Sequence, residues 1–500
     1  MKIRVENASL LEIKCDLLAV SLFEGSKALG GASAAADKAL GGQINRLMKQ
    51  EEIKGKLGEV TIVHTFGKLP AERVAVVGLG KKDEFGLDEI RTASAAVIKS
   101  AEKVRAKKLA TIVHGAGAGG LGIKDAAQAT IEGTILGEYK FEGYKSDKSE
   151  IRNSKSEIDE LIIVEKDKAK AKAAGEGAEA GKILAAAQNR ARDLVNGPAN
   201  KVTPTYLANY AAKMAKEAGL ECEVLDPRKE GMDAVWEVAK GSKEPAKVVV
   251  LKTKGPRPKA KALIALIGKG ITFDAGGISL KPSKKLWEMK MDMAGAAAVI
   301  EVMGAMAELG IKKNVIAVIP LTENMPDGGA LKPGDVVSSL SGITTEIIST
   351  DAEGRMVLVD AITYAKQKGA NIIIDCATLT GGCITALGDV ASGLFGNDEK
   401  LLGGIKKAAE RSGEKVWQLP LFKEYKEYLK SEIADQRNAT EGRGASPSSG
   451  ATFLHKFVGD TPWAHIDIAG TAYLSKGRGY LGEGATGVPV RTLIEYLKSK

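Results

Sequence analysis

Two short stretches of the 500-residue chain set acids and amines side by side just beyond apolar runs. The first follows the run 263–267. It passes from Lys269 through Asp274, Gly276 and Gly277 to Lys281, then to Met289 and Asp292 ahead of an Ala-rich helical stretch. The second, Thr350-Asp351-Ala352-Glu353-Gly354-Arg355, follows the run 346–348. Together they gather four carboxylates (Asp274, Asp292, Asp351, Glu353) and three cations (Lys269, Lys281, Arg355) at expected strand ends. Isolated charges there are costly, and four carboxylates brought close would be forced to protonate unless cations intervene. Two arrangements meet that demand. One is a pair of divalent ions about 3.5–4 Å apart bridged by shared carboxylates, a layout suited to hydrolysis. The other is a structural ion-pair network. The four histidines (His64, His114, His455, His465) have no HxH or HxxxH partner, so a metal site here would use oxygen donors. An amine could join only if burial and a nearby dication deprotonate it. Spacing alone leaves both readings open. Taken singly, Lys281 reads as a surface lysine before Pro282, Arg355 as a salt-bridge partner of Glu353, and Asp292 as the acid at a helix N-terminus.

The elements that must position these groups read as α/β. A chain of this length suggests two or three domains at about 100–200 residues each. In the first part, short apolar runs at 17–22, 60–63, 74–77, 109–113 and 161–164 alternate with Ala-rich helical stretches. A polar, charged crossing occupies 145–157, and 166–196 reads as one long helix with few breakers. Further runs lie at 248–251, 263–267, 315–319, 346–348, 372–374 and 466–468, with helical stretches at 294–309 and 356–368 each closed by a glycine, Gly310 and Gly369. We therefore expect an N-terminal α/β domain over 1–165, a linking helix over 166–196 and a larger C-terminal catalytic α/β domain over 197–500. The latter should hold a mostly parallel mixed sheet covered by helices. Ligands bind such sheets beyond the carboxyl ends of the strands.

Composition narrows the function. Lys and Arg number 72 against 63 Asp and Glu, a net +9 spread thinly along the chain. No basic arm or face concentrates it, which disfavours nucleic acid as the partner. The start has no apolar signal core, and no run approaches the roughly 18 apolar residues that span a bilayer. The cysteines (Cys15, Cys222, Cys376, Cys383) lack CxxC spacing, as expected for reduced, cytoplasmic thiols. A GxGxxG match at 115–120 raises a dinucleotide-binding alternative. No acid ends a second strand about 20 residues on, so a Gly-rich turn explains it better. Neither a Walker A sequence nor a GxSxG elbow occurs.

The 350–355 stretch resembles the signature of the leucyl aminopeptidase family (cytosol aminopeptidases, family M17). The likeness continues, in order, through Arg192-Asp193-Leu194-Val195-Asn196, the 269–292 segment, Glu323-Asn324-Met325-Pro326, Pro333-Gly334-Asp335-Val336 and Ala377-Thr378-Leu379-Thr380-Gly381. It ends with Asp467-Ile468-Ala469-Gly470-Thr471-Ala472 and Gly484-Ala485-Thr486-Gly487-Val488-Pro489-Val490-Arg491. The N-terminal part is similar only in kind.

The resemblance implies a metal-dependent aminopeptidase that releases N-terminal residues, leucine preferred, from peptide substrates. One ion would be held by Asp274, Asp351 and Glu353, and the second by Lys269, Asp274, Asp292 and Glu353. A bridging hydroxide would attack the scissile carbonyl. Lys281 would polarise that carbonyl, and Arg355 would hold a bicarbonate acting as general base. Met289, Thr378, Leu379 and Gly381 would bind substrate. Zinc or manganese is implied, with magnesium or cobalt also admitted by an oxygen-rich site. A cytoplasmic homohexamer, a dimer of trimers, is implied too. A DNA-binding or scaffold role of the same hexameric fold is the alternative; the seven filled charged positions favour catalysis. Three departures stand out: Ser349 where the family carries Asn, Met356 where it carries Leu, and a differently spaced Gly-rich stretch at 438–450. Ser349 is expected to loosen the hold on the strand end before Asp351.

Overall fold

The computed structural model describes all residues except 118, 147–157, 254–261, 441, 443 and 500. Most of the charged crossing and two positions of the 438–450 stretch lie outside the described residues. The chain divides into two compact units, Met1–Ala186 with Lys476–Glu483, and Ala187–Ser475 with Gly484–Lys500.

The first unit holds a six-stranded sheet built from β1 (Lys2–Glu6), β2 (Leu17–Leu22), β3 (Val60–His64), β4 (Arg73–Gly78), β5 (Lys108–Thr111) and β6 (Glu160–Val164), in the order β1-β6-β5-β2-β4-β3. Every pairing is parallel except β3 with β4. The central β2 shows why its sequence is a continuous apolar run: Leu17, Leu18, Ala19 and Val20 are all fully buried, because helices cover both faces of a parallel sheet. The run at 60–63 did not announce an antiparallel edge, and β1 was hidden by its alternating Lys, Arg and Glu.

Just after β5, His114 is buried with its Nε2 3.0 Å from Thr111 Oγ1. Burial brings its pKa down from 6.5 to about 4. Between those values the unfolded chain binds a proton that the folded chain does not, so stability falls as pH drops. We expect unfolding in urea to show His114 costing up to about 1.4 kcal/mol per pH unit below 6.5. His114→Leu should flatten that slope; an unchanged slope would refute this assignment.

The second unit is organised on a nine-stranded sheet. Its strands are β7 (Glu221–Leu225), β8 (Lys247–Lys252), β9 (Leu263–Gly268), β10 (Gly270–Asp274), β11 (Asn314–Asn324), β14 (Ile372–Ala377), β15 (Ser392–Gly396), β16 (Val416–Gln418) and β18 (Trp463–Asp467). The order is β16-β15-β18-β14-β9-β11-β8-β7, with β10 pairing the far end of β11. The centre, β18-β14-β9-β11, is parallel, and antiparallel pairings appear on either side of it. This is the mixed α/β architecture expected. A separate three-stranded sheet joins β12 (Val336–Ser338), β13 (Thr344–Glu346) and β17 (Gln436–Arg437).

Helices Ala294–Glu308 and Glu353–Gln367 are mostly buried. Gly310 and Gly369 follow them in the left-handed region, at φ 65° and 90°, as a glycine beyond a helix end should. Two differences from the sequence reading matter. The helix expected from 356 begins at Glu353, so Glu353 and Arg355 sit in its first turn. The run 346–348 is also no strand of the large sheet. Its strand ends with β13 at Glu346: the Ile347 N–H donates to the Asp335 carbonyl at 2.9 Å, and those of Ile348 and Ser349 donate to the Asn438 side chain.

Candidate metal centre

The parallel strands deliver the charged groups to one place. β9 ends at Gly268 and leads straight into Lys269. β10 then runs along the far end of β11, which sets Asp274 opposite Asn324. Asp292 closes the short helical turn Leu286–Met291, while Asp351 and Glu353 come from the junction before the helix Glu353–Gln367. The two segments distant in sequence therefore meet at the carboxyl ends of the central strands, where ligands of such sheets bind.

The contacts are dense. Lys269 Nζ donates to Asp292 Oδ1 at 2.8 Å and to the Thr378 carbonyl at 2.9 Å, and lies 2.8 Å from Glu353 Oε1. Lys281 Nζ is 3.0 Å from Asp274 Oδ2 and also contacts Asp351 Oδ1. The two lysines differ in access: the Lys269 side chain is 3% exposed and that of Lys281 is 22% exposed. One amine is built into the floor, and the other faces a visitor. Gly354 makes room for the first. A Cβ there would lie 2.6 Å from Lys269 Cε and Nζ, so the helix turn can lie against the lysine only with glycine.

Charge compensation is incomplete: four carboxylates are paired with two ammonium groups, Lys269 and Lys281. Burial first, with Asp274 adding to it, pushes the Asp351 and Glu353 carboxyls up, and burial does the same for Asp292. For Lys269, burial acts downward but is outweighed by Asp292, Glu353 and Asp274. For Lys281 it is outweighed by Asp274 and Asp351, so both amines are held up. This electrostatics calls for more positive charge among the acids. Asp274, Asp351 and Glu353 each offer an oxygen, all within 4.8 Å of one another. Such an oxygen-rich donor set fits divalent cations.

A cavity of about 500 Å³ opens onto this cluster. It is lined by every sequence-predicted site residue except Arg355: Lys269, Asp274, Lys281, Met289, Asp292, Asp351, Glu353, Thr378, Leu379 and Gly381. Arg355 sits behind them, buried, and forms no salt bridge with Glu353 among the described residues. Its Nη1 donates to the Asn438 carbonyl at 2.6 Å, and its Nε has no hydrogen-bond partner among the described residues. Burial brings the guanidinium pKa down to about 10. An orphaned cationic donor of this kind suits a small anion such as bicarbonate.

Thr378 does more than border the cavity, since its hydroxyl donates to Asp292 Oδ1 at 2.6 Å.

Two supporting residues were missed when the sequence was read for ligands. Asn324 Nδ2 donates to Asp274 Oδ1 at 2.8 Å and to the Thr350 carbonyl at 3.0 Å, tying the two charged segments together. Asp467, at the end of β18, accepts from Leu379 N at 3.2 Å and Thr380 Oγ1 at 2.7 Å, and so holds the loop at the cavity edge. Both lie in motifs that carried the resemblance, but only strand register shows what their side chains reach.

Comparisons with known proteins identify the family. A family model described as the cytosol aminopeptidase family, catalytic domain, matches residues 189–494, and that of the family's N-terminal domain matches residues 19–148. A "Probable cytosol aminopeptidase" of Geotalea uraniireducens (strain Rf4) is 46% identical over 471 residues, covering 92% of this chain and 92% of that protein. One of Alkaliphilus oremlandii (strain OhILAs) is 43% identical over 502 residues, covering 100% of this chain and 99% of its own. Among solved structures, the bottromycin maturation enzyme BotP in complex with Mn superposes with a TM-score of 0.84 at 35% identity, covering 97% of this chain and 99% of that one. A tomato leucine aminopeptidase mutant gives a TM-score of 0.87 at 30% identity, covering 99% of this chain and 96% of that one.

Proposed function

The chain belongs to the cytosol aminopeptidase family and is an aminopeptidase by that membership, and from that premise we propose that it is a two-metal enzyme with leucine preferred at the peptide N-terminus. The observation that carries the reading is the Asp274, Asp351 and Glu353 triad on a cavity that also presents a partly exposed lysine. Asp274, Asp351 and Glu353 would hold one ion, and Lys269, Asp274, Asp292 and Glu353 the other. When bound, two divalent ions supply Lewis acidity and bring the pKa of a water toward neutrality.

The chain's own groups do the rest. Lys281 Nζ is the amine that can turn from its carboxylates to a substrate carbonyl and stabilise charge developing on the oxygen. Arg355, with its free Nε, would hold bicarbonate, which supplies a proton acceptor. Thr378 fixes Asp292 through its hydroxyl, and Asp467 fixes Leu379, so the edge that binds the peptide backbone is rigid. Met289 and Leu379 give the cavity an apolar side that suits a leucine side chain.

A homohexamer, zinc or manganese as the ions and a cytoplasmic location complete the proposal. Among the described residues no helix is long and apolar enough to cross a membrane.

The test is hydrolysis of leucine p-nitroanilide beside its Nα-acetyl derivative and a panel of aminoacyl p-nitroanilides. Turnover of the free-amine leucine compound above the others, with none of the acetylated one, supports the proposal. Equal turnover of the acetylated compound would overturn it.

A further inference from the structure

Between Glu346 and Glu353 the chain must leave a strand, place Asp351 and enter a helix, all beyond the last ladder bond of β13. Ile347 pairs with Gly334 and Asp335, Ser279 and Asn324 hold Thr350, and at Ile348 and Ser349 between them one side chain takes over the ladder's work. Asn438, fully buried at 1% exposure, directly follows β17, which pairs in parallel with β13 through Thr345↔Gln436 and Glu346↔Arg437. Its backbone N–H donates to the Glu346 carbonyl at 3.0 Å. Its side-chain Oδ1 then accepts from Ile348 N at 2.8 Å and Ser349 N at 3.3 Å, and its Nδ2 donates to the Ser349 carbonyl at 2.7 Å. An amide side chain carries the same donor and acceptor as a peptide group, so Asn438 extends the pairing where the strand has ended. Its carbonyl oxygen also accepts from Arg355 Nη1. The Ser349 hydroxyl accepts from the backbone N–H of Asp351 at 3.2 Å. The strand end at Ser349 is thus held by Asn438 and by the serine's own hydroxyl.

We infer that Asn438 is a positioning residue: it fixes Ile348 and Ser349, and through the Ser349 hydroxyl the start of Asp351, in register with the Arg355 guanidinium, while Ser279 and Asn324 hold Thr350 between them. It touches neither substrate nor the reacting atoms. The inference rests on the aminopeptidase reading and adds a residue to it.

The test compares the full-length wild type with Asn438→Ala and Asn438→Asp. The aspartate keeps the acceptor for the two N–H groups and loses the donor to Ser349. Three readouts are taken: kcat and KM for leucine p-nitroanilide at saturating Mn²⁺, the affinity for Mn²⁺ alone by calorimetric titration, and the folded fraction by circular dichroism. Groups that orient metal ligands are typically worth about 10–100-fold. Asn438→Ala should therefore lower kcat and Mn²⁺ affinity by about that factor, with KM within about twofold, and Asn438→Asp should fall between. Folded variants with wild-type kcat and Mn²⁺ affinity would overturn the inference. Activity lost only in proportion to the unfolded fraction in both variants would also overturn it, leaving Asn438 a stability residue. A wild type inactive with every metal and substrate would instead count against the aminopeptidase reading itself.

Discussion

Asp274→Asn is expected to lower kcat/KM for leucine p-nitroanilide by about 10³-fold or more, and to reduce the number of ions retained per chain. Asp274 is the hub of the cluster. Its Oδ1 accepts from Gly276 N at 2.9 Å and from Asn324 Nδ2 at 2.8 Å, and its Oδ2 lies 3.0 Å from Lys281 Nζ. An asparagine keeps one oxygen for the first two donors, so the loop Gly276–Lys281 retains its anchor and the fold should persist. What disappears is the negative charge shared by both proposed ion sites. Lewis-acid stabilisation is worth several kcal/mol, and about 4 kcal/mol corresponds to a factor near 10³. Steady-state kinetics beside elemental analysis would check this. A loss under about tenfold, with full metal content, would remove Asp274 from the centre.

Lys281→Met should lower kcat by about 10²–10³-fold, the scale of losing one preorganised donor to a developing oxyanion, while KM stays within a few-fold and metal content is unchanged. The reasoning is one of access and charge. Lys269 and Lys281 both sit among the same acids, but only Lys281 has a partly exposed side chain at 22%. Its loss leaves Asp274 and Asp351 without an ammonium partner, an arrangement that divalent cations tolerate better than the bare acids do. A donor that acts only as charge develops affects kcat more than KM. Lys281→Arg should recover little, since a planar fork cannot reproduce a compact point charge at 3.0 Å from Asp274. A raised KM with unchanged kcat would make Lys281 a binding residue instead.

Much of this was legible in the residues. Apolar runs such as those of β2, β9 and β14 are unbroken because both faces of their sheets are covered, so period and length alone located them. Strands whose sequence does not look buried were lost: β7 has exposed Glu221 and Glu223, and β10 carries Gly270 and the charged Asp274, which reads as a turn. The acids and amines were visible because charge beyond apolar strands is costly and therefore informative. Whether they formed a metal site or an ion-pair network was not decidable from spacing, since both demand the same residue types. Asn324, Asp467 and Asn438 escaped notice for a different reason. A neutral amide or a lone acid gains meaning from what it faces, and Asn438 lies 90 and 89 residues from the backbone groups it holds at Ile348 and Ser349. That distance is closed only by the pairing of β17 with β13.

The central claim is that catalysis needs two divalent ions held by these carboxylates, and a metal titration tests it most directly. The purified protein would be stripped with chelator, its residual metal counted, and Mn²⁺ or Zn²⁺ added back while leucine p-nitroanilide hydrolysis is followed, with Asp351→Asn run alongside. The account predicts no activity in the stripped protein, recovery that saturates at two ions per chain, and no recovery in the variant. Full activity in the stripped protein, or in Asp351→Asn, would contradict it.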